Sequence, residues 1–199
     1  VTEFSVHRGT AVPLRRSEID TDQIIPGRFC KRVTRTGYAD ALFGNWRDEP
    51  GYILGRPEYQ GATILITGPH FGIGSSREHA VWALQDHGFR AVVAPSFSDI
   101  FRGNALTCGL LPVQVPQRTV EAFWEAVEAD PALPVTVDLE RCVVHGGGVE
   151  ASFPVEETAR QRLLQGLDFI AATLEYDPDI TAYESSRARW MPTTTVPPS

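Results

Sequence analysis

Gly72, Gly74, Ser75, Ser76, Arg77 and Glu78 lie together in HFGIGSSREHA, and their types and spacing suit the binding of a negatively charged group. Glycines permit a tight turn and close approach of a ligand, since neither carries a Cβ. Ser75 followed three residues later by Glu78 reads as a capping box, which makes Ser75 the expected N-cap of a helix. The free N–H groups at a helix N-terminus attract anions. Arg77 stands at the end of that helix where a cation is disfavoured, by a few tenths to about 1 kcal/mol, unless an anion meets it. Two readings stay open on these residues alone. One is a plain capped turn with Arg77 paired to Glu78 or Asp86, and the other is an anion site. The stretch lacks the lysine of GxxxxGK[ST], has Arg77 at the third glycine of GxGxxG, and lacks the glycine that GxSxG requires after its serine.

The elements that must hold this turn are legible around it. ATILITG is a short apolar run before it, SREHAVWALQDHG has helical period, and RAVVAPS is a second apolar run. Ala80, Ala83, Leu84 and His87 share one helix face, with Gly88 placed as a left-handed cap. SDIFRGNALTCG predicts another helix ending at Gly109 and leading into LLPVQV. QRTVEAFWEAVEA predicts a third, with Val120, Phe123, Trp124 and Val127 on its buried stripe. Towards the N-terminus, FSVHRGTAVPLRR reads as two short strands, and SEIDTDQIIPGRF as a polar loop. VTVDLERCVVHGGGVEASF reads as a strand and a hairpin turning at Gly146 to Gly148. PVEETARQRLLQGLDFIAATLEY reads as one closing helix that buries Leu163, Leu167, Ile170 and Leu174. Residues 31–61 have no clear period beyond a short helix at YADALFGNW and are expected to be mobile. Strand–helix–strand units with hairpins at both ends predict an α/β fold with a mixed sheet flanked by helices.

The chain has 199 residues, 42% hydrophobic and 22% charged, enough for one domain with a substantial core. A net charge of -7 argues against a nucleic-acid-coating protein. No apolar run approaches the ~20 residues of a membrane span, and VTEFSVHRG lacks a signal-peptide core, so a cytoplasmic location is expected. Cys30, Cys108 and Cys142 are far apart and unpaired in spacing, which signals no disulfide framework and no zinc or iron–sulfur site built by this chain alone. Asp20 and Asp22 could form a paired-carboxylate acid/base site or cap their loop, and Asp20 is expected to be structural. Lys31, Arg32 and Arg35 form a basic cluster suited to carboxylates or a partner, or merely to solvating a loop. His70 and His79 are expected to be structural, and Trp46, Phe101 and Trp124 to be core.

GPHFGIGSSREHA resembles a signature of the swivelling domain of the aconitase superfamily, and IDTDQIIP and SFSDIFRGNALTCGLLP resemble its other two. Their order and spacing are similar to those of the small subunits of 3-isopropylmalate dehydratases. The resemblance spans residues 1–175, leaving 176–199 as a Pro-, Thr- and Ser-rich tail, partly ordered at most. It implies the swivelling β/β/α fold and a hydro-lyase of leucine biosynthesis that isomerises 2- and 3-isopropylmalate through isopropylmaleate.

The resemblance also implies roles. Ser75 corresponds to the base, Ser76 and Arg77 to binders of substrate carboxylate, and Asp22 with Thr21 to the active-site face. Phe29, Cys30, Lys31 and Arg32 correspond to the loop that reads the substrate's side chain, with Cys30 where a leucine-like residue is expected. Asn104 in the third motif is expected only to support its loop. A [4Fe–4S] cluster is expected in a separate large subunit, with no cofactor bound by this chain alone, so activity is expected only in a heterodimer or heterotetramer. The alternatives are a related dehydratase acting on homoaconitate, methylated malate or citrate-like acids, and a non-catalytic anion-binding module.

Overall fold

The structure is a computed structural model, and it describes residues 2–188, 190 and 191. Two four-stranded sheets make up the frame. The first strand, β1 (Val6–Gly9), and the second, β2 (Ala11–Leu14), are separated only by Thr10. A hairpin needs a loop of about two residues or more, so these strands cannot pair with each other. Instead β1 joins an antiparallel sheet in the order β1-β6-β7-β8, with β6 (Val135–Asp138), β7 (Val143–Gly146) and β8 (Val149–Ser152). β2 joins a parallel sheet in the order β2-β3-β4-β5, with β3 (Ile64–Thr67), β4 (Ala91–Ala94) and β5 (Leu111–Gln114). The α/β class is borne out, with the parallel and antiparallel pairings held in two separate sheets rather than in one mixed sheet. The expected N-terminal hairpin is corrected, because the chain changes sheets at Thr10. The hairpin at the other end forms as expected, with β7 and β8 joined through Gly147 and Gly148.

The parallel strands are buried on both faces, as their unbroken Ile, Val, Leu and Ala runs require. Helices α2 (Glu78–His87) and α3 (Asp99–Cys108) connect successive parallel strands and pack on each other. Gly88 takes the left-handed cap position expected of it, and Gly109, where the next helix is expected to end, is left-handed as well. Helix α4 (Gln117–Ala129) buries Val120, Phe123, Trp124 and Val127 as its period predicts, and it touches β2, β3, β4 and β8, tying the two sheets together. Its Trp124 indole donates to the Ile66 carbonyl at 3.0 Å.

Two other expectations are corrected. YADALFGNW forms consecutive turns rather than a helix, and the segment around it is packed rather than loose: Tyr38, Leu42 and Phe43 are fully buried. Glycine at 44 and the Asp48-Glu49-Pro50-Gly51 run deny it helical continuity, while its aromatic and aliphatic residues still fill the space beside the parallel sheet. The closing helix is in fact α5 (Glu157–Gln165) and α6 (Phe169–Leu174), since Gly166 turns left-handed at φ 68° and Asp168 caps a new helix. Leu163 is buried, but Ile170 and Leu174 are 73% and 61% exposed. The 3.6-residue period does not survive such a break. Helix α7 (Asp177–Ser186) follows with no buried residue. The tail positions 189 and 192–199 lie outside the described residues.

His87, half-buried in the last turn of α2, has its pKa lowered by burial and then by Arg47; burial and Arg90 likewise lower that of His7, whose ring meets the Thr63 hydroxyl at 2.7 Å. A base with a depressed folded pKa binds its proton less readily than in the unfolded chain, so its contribution is present above the unfolded value of 6.5 and lost as pH falls. Stability is expected to drop between pH 7 and pH 5, with each histidine adding at most about 1.4 kcal/mol per pH unit. Urea midpoints measured across that range should fall less steeply in His87→Leu.

Candidate active site

The three motif loops all leave the C-terminal ends of parallel strands, where ligands bind in open parallel sheets. Residues 15–26 follow β2, residues 68–77 follow β3 and residues 95–98 follow β4. Backbone pairing continues beyond the strands. The Ile19 carbonyl accepts from Gly72 at 2.8 Å and from Ile73 at 3.2 Å, and Thr21 N–H donates to the Ile73 carbonyl at 2.9 Å. On the other side, Phe71 N–H donates to Ser96 at 3.1 Å and Ser98 N–H to Phe71 at 3.0 Å. The Ser98 hydroxyl caps α3 through Phe101 N–H at 3.2 Å and donates to the Gly72 carbonyl. Gly72 has φ 75°, and a Cβ there would overlap the Phe101 ring. No other residue type fits that crossing.

Asp20 is structural, as expected: it caps the short helix α1 (Thr21–Ile24) in a reciprocal capping box with Gln23. That cap fixes Thr21 and Asp22. Thr21 is buried and its hydroxyl donates to the Ser75 carbonyl at 3.0 Å, which anchors the serine turn to the first loop. Asp22 forms an ion pair with Arg77. Asp22 therefore occupies the place of the anion that the arginine's position demanded, instead of Glu78 or Asp86, and it raises the guanidinium further above its ordinary pKa. Asp86 is engaged elsewhere, accepting from Tyr38 N–H at 2.8 Å.

Ser75 does not cap the helix. α2 starts at Glu78, its N-cap is Arg77, and no side chain caps it. The positive φ of Gly74 and the bond that Thr21 makes to the Ser75 carbonyl hold Ser75 two positions ahead of the cap, out of reach of the capping geometry. Among the described residues the exposed Ser75 hydroxyl has no hydrogen-bond partner. Ser76 is also exposed, and Asn104 reaches its hydroxyl at 3.5 Å, the outer limit of a hydrogen bond. That contact agrees with a supporting role for Asn104.

The segment expected to read a substrate side chain is a 3₁₀ turn, Gly27–Lys31. Its first residue lies against both Asp22 and Arg77. Cys30 sits within their electrostatic reach; burial pushes its thiol pKa up, Arg77 lowers it and Asp22 raises it, which leaves a neutral thiol at pH 7. Phe29 has the guanidinium groups of Arg28 and Arg32 over its ring at 4.8 and 5.0 Å. Arg32 is tied to Asp40 at 2.7 Å and to the Gly37 carbonyl, while Lys31 and Arg35 are exposed. The structure thus brings Thr21, Asp22, Cys30, Ser75, Ser76 and Arg77 into one neighbourhood, and it commits Arg32 to its own loop. His79 is structural, with its ring 5.6 Å from Tyr38 and 4.7 Å from Trp82; these aromatic contacts brace the first turn of α2. The Asp22–Arg77 pairing was not legible in the sequence, where its sole trace is the cation at the wrong helix end. A cavity of about 400 Å³ beside β2, crossed by the Arg15–Glu128 and Arg16–Glu49 pairs, contains none of these residues. Among the described residues no three His, Cys, Asp or Glu side chains come together as metal ligands.

A family model described as aconitase C-terminal domain matches residues 1–118, and a second, LeuD_N, matches residues 121–157. The chain is 57% identical to the 3-isopropylmalate dehydratase small subunit of Acidothermus cellulolyticus, covering 96% of this chain and 97% of that protein. It is 56% identical to the protein of the same name from Streptomyces coelicolor, with the same coverage of 96% and 97%. A crystal structure of 3-isopropylmalate dehydratase (leuD) from Methanocaldococcus jannaschii shares the fold at TM-score 0.62 and 24% identity, covering 90% of this chain and 99% of that one. The chain therefore belongs to the aconitase C-terminal domain class and, within it, to the 3-isopropylmalate dehydratase small-subunit family.

Removing the Thr21 hydroxyl leaves the Ser75 carbonyl without this partner. Thr21→Val is expected to lower stability by about 1 kcal/mol, with Thr21→Ser restoring it. Asp22→Asn, on a carboxylate 58% exposed, should change stability by less than about 1 kcal/mol. Chemical denaturation of the three variants checks both statements. Gly72→Ala should be far worse, by roughly 3 kcal/mol or more, since it combines overlap with a disfavoured φ.

Proposed function

We propose that this chain is the small subunit of a hydro-lyase that interconverts 2- and 3-isopropylmalate through isopropylmaleate. The observation that carries the reading is the meeting of three loops at one end of the parallel sheet, where an unengaged Ser75 hydroxyl stands in the same turn as the Arg77 guanidinium. Family membership and near full-length identity to proteins named as such subunits support it.

In this proposal Ser75 is the base that removes the proton from the carbon beside a substrate carboxylate. Its hydroxyl is free to do so because capping does not use it. A neutral serine hydroxyl is too weak a base, and a cationic surround is needed to stabilise the alkoxide form that accepts the proton. Ser75 precedes the N-cap by two residues, and the helix field fades within the first turn, so Arg77 is the main source of positive charge. Arg77 and Ser76 hold a substrate carboxylate, with Arg77 exchanging its Asp22 partner for that carboxylate. The exchange replaces one anion by another and leaves no buried charge uncompensated. Thr21 keeps the turn in place, and Phe29, Cys30, Lys31 and Arg32 border the substrate's branched side chain; the neutral thiol of Cys30 offers that side chain a small apolar contact.

The leaving hydroxyl requires a Lewis acid. The residues of this chain do not fit a four-iron cluster, because Cys30, Cys108 and Cys142 do not converge, and the proposal assigns the cluster to a large-subunit partner. Residues 1–175 form the swivelling domain in this reading and 176–199 a tail, a division supported by the full exposure of α7. No described helix is long and apolar enough to cross a membrane, and a cytoplasmic heterodimer or heterotetramer is part of the proposal.

Co-purification with the large subunit and anaerobic assay against isopropylmalates, homoaconitate, methylated malates and citrate test the reading. The complex is expected to turn over isopropylmalate best and the single chain to be inactive; turnover by the single chain without iron would overturn the half-site account. Ser75→Ala is expected to lower kcat by about 10²–10⁴-fold with unchanged stability, since the hydroxyl makes no bond among the described residues. Near-normal turnover in that variant would remove Ser75 as the base. Arg77→Lys keeps the charge but loses the planar fork, and is expected to raise KM about tenfold or more.

A further inference from the structure

Among the described residues Arg162 is the one buried arginine, only 8% exposed, and it lies on α5 facing the break that separates α5 from α6. Its guanidinium lies over the Phe169 ring at 3.9 Å. A ring face satisfies the charge of a guanidinium in part but none of its five in-plane N–H donors. Among the described residues those donors meet no hydrogen-bond or ion-pair partner. The nearby acids are committed elsewhere. Glu156 senses Arg162 through space, but its oxygens accept from Thr158 and Ala159 N–H groups at 2.9 Å each. Glu157 pairs with Arg160 at 3.1 Å and accepts from Gln161 at 2.7 Å. The Arg162 donors reach solvent, since among the described residues no buried side-chain nitrogen or oxygen lacks a partner, and a ligand carboxylate would satisfy them.

Arg162 lines a cleft of about 310 Å³ with Gln165, Ala172, Glu175 and Tyr176. Glu175 lines the same cleft, and its side chain, like that of Arg162, has neither ion pair nor hydrogen bond among the described residues. One wall thus offers a cation and the other an anion, and among the described residues no ion pair joins the two. A simple anion would answer Arg162 but be repelled by Glu175 and Glu157, and a phosphate more strongly. A simple amine would meet the opposite problem. A molecule carrying both charges a few ångströms apart answers both walls at once. Ala172 and Tyr176, with the half-exposed Phe169 ring beside them, give it an apolar surface.

We propose that the cleft between α5 and α6 binds a small α-amino acid as its zwitterion, with the carboxylate on Arg162 and the ammonium on Glu175. The site shares no residue with the motif loops, and it stands or falls independently of the hydro-lyase reading.

Calorimetric titration of the full chain with L-alanine and L-leucine tests this, beside 4-methylpentanoate, which lacks the ammonium, and 3-methylbutylamine, which lacks the carboxylate. Saturable binding of an amino acid at one per chain is expected, with both single-charge analogues weaker by about tenfold or more. Arg162→Met is expected to abolish it and Arg77→Gln to leave it intact. Should Arg162→Met fail to fold by circular dichroism, Glu175→Gln decides, and is expected to reduce amino-acid affinity to that of 4-methylpentanoate. Absence of saturable amino-acid binding, equal binding of the carboxylate, survival of binding in Arg162→Met, no loss in Glu175→Gln or loss in Arg77→Gln would each overturn the proposal.

Discussion

The carbonyl of Ile19 accepts hydrogen bonds from two successive amides, those of Gly72 and Ile73, and Thr21 returns one to Ile73. These few bonds carry the pairing of β2 and β3 past the ends of strands that are only four residues long. Buried backbone groups must find partners, and Gly72 and Ile19 are buried where the two loops cross. The loops are therefore locked in register with the sheet, and with them the side chains they carry. Thr21 and the serine turn meet across this seam, and so do Asp22 and Arg77, which lie 55 positions apart in the chain. The seam has room only because Gly72 carries no side chain against Phe101.

Electrostatics then follows from that register. A helix that began at Ser75 would have used the serine hydroxyl on its own backbone. Because the turn is pinned by Thr21, the helix begins three residues later, the hydroxyl is left unengaged, and Arg77 is brought to the N-cap. A cation there is unfavourable without an anion, and the first loop supplies one in Asp22. The Asp22–Arg77 pair is a contact between two exposed-edge loops rather than a core salt bridge, which allows the arginine to change partners at small cost.

The same logic explains the differences between pattern and structure elsewhere. Period alone joins α5 and α6 into one helix, but Gly166 costs nothing in a left-handed turn, and Asp168 at once restarts the helix by accepting from Ala171 N–H at 2.7 Å. The apolar residues of α6 are thereby turned outward, and Arg162 is left facing the gap. Residues 38–59 show the reverse case. They have no helical or strand period, yet Tyr38, Leu42, Phe43, Leu54 and Tyr59 are buried, because space-filling needs volume and apolarity and not a repeating backbone.

By itself the sequence determined the local elements: the apolar runs of the parallel sheet, the stripe of α4, the caps at Gly88 and Gly109, the Gly147–Gly148 turn, and the three motifs with Ser75, Ser76 and Arg77 among them. Each depends on neighbours within a few residues, which is the range over which period and capping chemistry act. Only the tertiary structure decided that the strands divide between two sheets at Thr10, that Asp22 answers Arg77, and that Ser75 is released from the cap. Those outcomes are contacts between segments far apart in the chain, set by the register of the parallel sheet. A hydroxyl that the sequence places at a helix cap is released from it by a threonine 54 residues away.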